Sequence, residues 1–263
     1  MTLQDNKNAL DRRGLTRMDA FLPQSDVRLA RELILGLASD HGLYSSSGWA
    51  HSDSRFGVDK SFRDALKALN ASDHFPDFIS KTLLEIAAEL VGETVTPLPP
   101  GQQILFSLPD SPTWSVPHNV WHVDVPRLGA LGQPGLQMFT FLDDVEPRGG
   151  GTLVLAGSHR LLNTSRSLRS KDLKRALAKA DYFRRLFDGG RPPITDLNET
   201  AGAVADVDLE VVELTGQAGD IYLMDLRTLH APAPNAAKTA RIMLTCRLPR
   251  TCVAPALVDQ SLL

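Results

Sequence analysis

The sequence predicts a mainly β chain with flanking helices: helices first, then a β-sandwich or barrel broken by one helical insertion. Three observations carry that expectation. After Gly92 the chain falls into short apolar or alternating runs at 103–108, 120–125, 136–142, 152–155, 209–214, 221–224 and 241–247, the length of ordinary strands. Proline, glycine and aspartate punctuate them, and many short strands separated by turn signals suggest a sandwich or barrel. Before Gly92 the apolar spacing is helical instead.

In order along the chain, the first dozen residues read as a loose polar leader. Ser25 then precedes an amphipathic stretch with Val27, Ala30, Ile34, Leu37 and Ala38 on one face and Gly42 as its stop. Residues 44–71, rich in Ser, Gly, Asp and His, read as a long loop with short helical pieces. A second helix begins near Pro76, carries Phe78, Ile79, Leu83, Ile86, Ala87 and Leu90, and stops at Gly92. The strand-like runs follow, with one helical interruption over 170–187. No internal repeat or low-complexity tract is visible, and no linker is long enough to separate a pair of domains. The expected organisation is one domain over 1–263: a helical region to about 92, a core over about 93–250 and a helical insertion over about 161–207.

Composition narrows the class. With 263 residues, 43% hydrophobic and 22% charged, the chain can bury a sizeable core without staples. A net charge of -3 and a pI near 6.2 argue against a nucleic-acid binder that works by bulk charge. Residues 1–17 are polar, with no apolar segment of a secretory signal, and no apolar run approaches the roughly 18 residues that span a bilayer. Cys246 and Cys252, six residues apart, match no known metal spacing and are expected as free thiols. A soluble cytoplasmic protein with no nucleic-acid or membrane partner is the expectation.

Among seven histidines, His41, His51 and His74 sit in polar or helix-end contexts and read as ordinary surface residues. His122 and Asp124 differ: two apart in a strand-like run, they would share one face, with Val123 and Val125 on the other. One imidazole and one carboxylate are two legs of a facial triad, a set that leaves open positions on six-coordinate iron. His-X-Asp is a weak motif by itself. A third ligand must return from a distant strand, and His230 follows the turn and apolar run 219–225. Arg241 comes eleven residues later, a spacing that suits a hairpin return. Facing inward, its guanidinium needs an anion, and the distal carboxylate of 2-oxoglutarate would supply two charge-assisted hydrogen bonds. Taken alone, Arg241 reads equally well as a surface residue or the partner of an internal Asp.

Three blocks form a recognisable pattern. They are Pro109-Asp110 followed by His118-Asn-Val-Trp-His122-Val-Asp124; Phe141-Leu-Asp-Asp-Val-Glu-Pro-Arg-Gly-Gly-Gly151 running on to Gly157-Ser158-His159-Arg160; and Gly219-Asp220 through His230 to Asn235, then Arg241. With the opening Gly14-Leu-Thr-Arg-Met-Asp-Ala-Phe21, they make the chain resemble the phytanoyl-CoA dioxygenase family of iron(II)/2-oxoglutarate oxygenases over nearly its whole length. The insertion at 161–207 has no counterpart in that pattern. The resemblance implies a double-stranded β-helix (jelly-roll, cupin-like) core. It implies His122, Asp124 and His230 as catalytic iron ligands and Arg241 as the holder of the 2-oxoglutarate tail. Gln103 matches a position that helps hold the cosubstrate, and Phe139 falls near another. Pro232 stands where some members carry a hydroxyl, and His159 looks structural.

The implied cofactors are Fe(II), 2-oxoglutarate and O2, and the implied reaction is oxidation, usually hydroxylation, of a C–H bond in a small-molecule metabolite with release of succinate and CO2. Desaturation or ring closure would use the same ligands. Halogenation would not, since it replaces the carboxylate ligand and Asp124 is present. A non-catalytic jelly-roll binding module has no need of all four residues, and a zinc or iron hydrolase has no need of the inward Arg. The substrate is less legible. Residues 160–191 hold ten Lys/Arg against three Asp/Glu; the ordinary reading is a solvated helix face, and the sharper one a basic lid for an anionic substrate. His118 and Trp121 flank the metal run as pocket candidates, with packing at least as good a reading of Trp121.

Overall fold

Helix α1 (Leu3–Arg13) opens the chain where a loose leader was expected; a computed structural model describes residues 2–51, 58–110, 113–124, 132–162 and 170–261. The Thr2 side chain accepts from the Asp5 N–H while the Asp5 carboxylate accepts from the Thr2 N–H, a reciprocal cap that satisfies two otherwise orphaned donors. Arg12 and Arg13 sit at the negative end of the helix, and Gly14 ends it in the left-handed region. Strand β1 (Leu15–Met18) follows at once.

Helix α2 (Gln24–Asp40) buries Val27, Ala30, Ile34 and Ala38, the face its spacing predicts. A small hairpin of β2 (Tyr44–Ser45) and β3 (Gly48–Trp49) comes next. In place of the expected loop stands α3 (Lys60–Asn70), capped by Asp59 through the Phe62 N–H and burying Phe62 and Leu66. Helix α4 (Lys81–Val91) starts later than Pro76, because Ser80 caps it through the Leu83 N–H and the Phe78 N–H is held instead by the Gln102 side chain. Gly92 ends it as predicted.

The remaining elements are β4 (Gln103–Ser107), β5 (Gly135–Phe141), β6 (Leu153–Ala156), α5 (Ser170–Leu177), α6 (Asp181–Arg184), β7 (Gly202–Val204), β8 (Val207–Glu213), β9 (Ile221–Asp225), β10 (His230–Ala231), β11 (Arg241–Pro249) and α7 (Ala254–Ser261). They make a five-stranded sheet in the order β1-β9-β5-β11-β4 and a four-stranded sheet in the order β10-β6-β8-β7, with every pair antiparallel. Together these sheets form the jelly-roll core. Residues 120–124 are not a strand: His122 touches β10 through one isolated bridge, and Val125 lies outside the described residues.

Burial on both faces of the large sheet explains why β5 lacks the alternation of a half-exposed strand. On one face Leu136, Met138, Ile221, Leu223, Ile242 and Leu244 pack against the helical layer of Ile34, Phe62 and Leu83. On the other, Phe139, Phe141, Tyr222 and Met243 meet Val154 and Ala156 of the small sheet. Behind the small sheet, Leu153, Leu155 and Val211 join Trp121, Leu177 and Phe183. Each Leu, Ile, Val, Phe or Met side chain among them contributes about 1.5–3 kcal/mol on burial. Both cysteines are free, Cys246 buried and Cys252 exposed. Among the described residues no helix is long and apolar enough to cross a membrane.

Leu223, 0% exposed, and Leu29, 45% exposed, calibrate this layering. Leu223→Ala is expected to lose about 2–5 kcal/mol and Leu29→Ala to stay within about 0.5 kcal/mol, read as urea midpoints at unchanged slope. Equal losses would contradict the buried central strand.

Candidate metal centre

Two backbone hydrogen bonds build the centre. The His122 N–H donates to the His230 carbonyl at 2.8 Å, and the His230 N–H donates back to His122 at 2.9 Å. β10 is itself seated on β6 through His230↔Val154 and Ala231↔Leu153. The turn leading into it is fixed by Arg227, whose Nε and Nη2 donate to the two carboxylate oxygens of Asp225 at 2.9 and 2.7 Å. The Leu229 N–H then donates to Ser158 Oγ at 2.9 Å.

Both imidazoles are oriented alike. His122 Nδ1 lies 2.9 Å from the Val120 carbonyl and His230 Nδ1 lies 3.1 Å from the Thr228 carbonyl. A carbonyl can only accept, so each Nδ1 carries the hydrogen and each Nε2 keeps its lone pair. Those lone pairs converge on Asp124, whose Oδ1 is 3.5 Å from His122 Nε2 and 3.8 Å from His230 Nε2. One donor atom from each residue lies within 4.8 Å of the others. Burial lowers the pKa of His230 against the opposing pull of Asp124, which favours the neutral, ligating form. His122, 48% exposed at its side chain, faces the opening, while His230 is 6% exposed. Two neutral imidazoles and a carboxylate are a donor set that can hold a divalent transition metal with positions to spare.

The three residues border a cavity of about 1500 Å³ that continues over β4, the edge strand of the large sheet, toward the end of α3. Gln103, Phe139 and Arg241 also line it. The Phe139 ring stands edge-on to His230 with centroids 6.2 Å apart. Arg241 is half-buried, and burial pushes its pKa down to about 10. Its guanidinium Nε donates to Ser107 Oγ at 3.1 Å and Nη1 approaches Met243 Sδ at 3.4 Å. Among the described residues no carboxylate is within ion-pair distance of it. A buried cation without its anion is costly, so this donor set fits a bound carboxylate. Pro232 lines the cavity without a hydroxyl to offer.

Other sequence candidates lie elsewhere. His118 Nδ1 donates to the Arg185 carbonyl at 2.8 Å and Trp121 Nε1 to the Pro117 carbonyl at 3.0 Å; neither lines the cavity. His159 is 3% exposed, lies under Gly14 and shares a hydrogen with the Asp11 carbonyl, a packing role. A Cβ on Gly14 would come 2.5 Å from His159 Nδ1, so only glycine fits there. The described residues of the basic insertion do not line the cavity. Among its described residues Arg175, Arg184, Arg185 and Arg191 pair with Asp172, Asp181, Glu199 and Asp188, and none of its cations lines the cavity. Residues 163–169 of it lie outside the described residues.

Three supporting features escaped the sequence reading. Ser107 stands opposite Arg241 in the ladder, a pairing that only the register of β4 on β11 reveals. The Asp225–Arg227 pair was visible as opposite charges two apart just before His230. Glu213 continues the buried phase of Val207, Leu209 and Val211, which was its signal. It is 7% exposed and accepts from the Arg148 and Gly151 N–H groups at 2.7 and 3.1 Å, holding the Gly-rich turn that places Gly150 on the cavity wall. Burial raises its pKa to about 7, with those backbone hydrogen bonds opposing.

Comparison with known proteins adds an independent line. The family model described as "Phytanoyl-CoA dioxygenase (PhyH)" matches residues 10–243. Among solved structures, AviO1 from Streptomyces viridochromogenes Tue57 is similar at 18% identity, covering 95% of this chain and 97% of its own, with a TM-score of 0.56. The non-heme alpha ketoglutarate dependent carbocyclase SnoK from nogalamycin biosynthesis is 17% identical over 95% and 86%, with a TM-score of 0.55. The non-heme monooxygenase ThoJ in its Ni complex is 15% identical over 94% and 77%, with a TM-score of 0.53. These likenesses show a shared fold. No curated protein matches this chain in sequence.

Glu213 gives a pH dependence whose sign is fixed. Its folded pKa, about 7, exceeds the ordinary 4.5, so the folded state binds more protons between those values and stability falls as pH rises through that window. Glu213→Gln should remove this slope, worth at most about 3 kcal/mol. Urea midpoints at pH 5 and pH 8 check it, and parallel profiles for the two proteins would refute it.

Proposed function

The chain belongs to the phytanoyl-CoA dioxygenase family of iron(II)/2-oxoglutarate-dependent enzymes, and from that premise we propose that it hydroxylates a C–H bond of a small molecule at a centre held by His122, Asp124 and His230. The observation that carries the reading is Arg241. A guanidinium without a carboxylate partner among the described residues lines the same cavity as a His-Asp-His cluster, as required if one dicarboxylate is to be gripped at its far end while its near end meets the metal.

Each residue has a task in that scheme. His122 Nε2, His230 Nε2 and one Asp124 oxygen would take one side of the metal, and Nδ1 hydrogen bonds to backbone carbonyls keep both rings from rotating away. Arg241, steadied by Ser107 Oγ, would hold the distal carboxylate of 2-oxoglutarate, with Gln103 and Phe139 flanking it. Bound iron(II) with 2-oxoglutarate and O2 supplies the oxidation of a substrate C–H bond, placing one oxygen atom on substrate and one in succinate, with release of CO2. Phe139 and the apolar layer behind it exclude water from the inner end of the site. Hydroxylation needs no protein acid or base beside the substrate carbon, and the nearby lining of Gln103, Gln137, Phe139, Thr152 and Thr245 provides none. That supports hydroxylation over outcomes that need a second proton acceptor. The intact Asp124 carboxylate argues against halide transfer.

Anaerobic addition of iron(II) and 2-oxoglutarate should produce a weak visible charge-transfer band. His122→Ala should abolish it. Arg241→Leu should keep it only at 2-oxoglutarate concentrations raised by about tenfold or more, the scale of a lost charged hydrogen bond. No band with the intact protein would sink the oxygenase reading, and an unchanged 2-oxoglutarate requirement in Arg241→Leu would remove Arg241 from its proposed role.

A further inference from the structure

Two amides in the cavity wall share a property that neither metal nor cosubstrate accounts for. Gln137 on β5 is 4% exposed, and a chain of hydrogen bonds fixes which way its amide points. The Met138 carbonyl can only accept, so Thr245 Oγ1 donates to it, at 2.9 Å. Thr245 Oγ1 is then left to accept, and Gln137 Nε2 donates to it at 3.0 Å. The remaining atom, Gln137 Oε1, is a buried acceptor with no partner among the described residues. Asn70, at the end of α3, repeats the pattern. Its Nδ2 donates to the Gln102 carbonyl at 2.7 Å, and its Oδ1 is likewise buried and unpartnered among the described residues. Both residues line the cavity. Buried acceptors in native proteins are nearly always satisfied, so two in one cavity call for a ligand that donates.

That ligand is not 2-oxoglutarate. Its keto and ionised carboxylate oxygens are all acceptors, which cannot satisfy another acceptor. The ionic side chains of the outer wall are of both signs: Arg63 and Lys67, with Asp26, Asp73 and Asp77. The geometry points to a substrate that carries hydrogen-bond donors, hydroxyls or amines, read by Gln137 Oε1 with Asn70 Oδ1 as a second contact. This specificity rests on the oxygenase reading above and goes beyond it.

The test uses the full chain held anaerobically with iron(II) and 2-oxoglutarate. The probes are a panel of polyols and amino-polyols set against their O-methylated and N,N,N-trimethylated counterparts. Binding is followed by saturation-transfer NMR. Donor-bearing members are expected to bind, and methylation should weaken them by at least about tenfold, the scale of one lost buried hydrogen bond. Whether O-methylation or N-methylation is the damaging change separates hydroxyl from amine. Gln137→Leu should show the same loss and Gln137→Glu, which keeps an acceptor, should not. Equal binding of methylated probes, no binding by any donor-bearing probe, or unchanged affinity in a folded Gln137→Leu would each overturn the inference. If Gln137→Leu fails to fold, methylation on the wild-type protein still decides. The charge-transfer band, read in the same samples, separates the two failures: present with no donor preference, it overturns this inference alone; absent, it overturns the oxygenase reading.

Discussion

Reciprocal backbone hydrogen bonds between His122 and His230 join two segments that are otherwise held to the core in different ways. His230 belongs to the small sheet, and His122 to a stretch without regular structure. Because each imidazole is tied to a carbonyl two residues behind it, fixing the backbone fixes the ring, and fixing the ring fixes the free Nε2. The Asp225–Arg227 pair and the Ser158 hydroxyl brace the turn from the other side. Singly each bond is modest. Set on a few neighbouring residues they are coupled, so loss of one loosens the rest.

The inner face of the large sheet then arranges the chemistry. Period-two alternation sends Arg241, Met243 and Thr245 of β11 inward, beside Phe139 and Gln137 of β5, while Ile242, Leu244 and Cys246 pack against the helices. A cation therefore stands at one end of the row and neutral amides at the other. Since the sheet is covered on both faces, a change of volume at any of these positions is transmitted to the helical layer.

Local pattern made most of the core legible. The runs that became β4, β5, β8, β9 and β11 combine apolar content with turn residues at both ends. Arg241 opens the last strand as expected, but not by a hairpin return: β10 and β11 lie in different sheets and do not pair. The pairing of His122 with Asp124 was expected for a reason that does not hold: no strand forms there, and a single bridge to β10 does the aligning. Elements set by distant partners were missed. β1 is four residues long and owes its existence to β9. Helix α1 buries only Asn6 and Leu10, too narrow a stripe to signal itself. The charge count over 160–191 omitted Glu199, which pairs with Arg185 from outside that window. The orphaned acceptors of Gln137 and Asn70 are invisible to sequence, because they are defined by which carbonyls lie nearby.

The pairing of Leu15 with Met224 also sets an order of assembly. β1 is made about two hundred residues before the strand it needs, and at about 5–20 residues per second it waits tens of seconds on the ribosome. During that time it is an unpaired strand behind a short helix, open to association with other chains. Closing so long a loop slows folding, and the β1 edge of the large sheet can form only when β9 emerges. His230 follows five residues after β9, so the His-Asp-His cluster and that edge become possible in the same stretch of synthesis. An immature chain can therefore hold helices and hairpins but not the assembled His-Asp-His cluster.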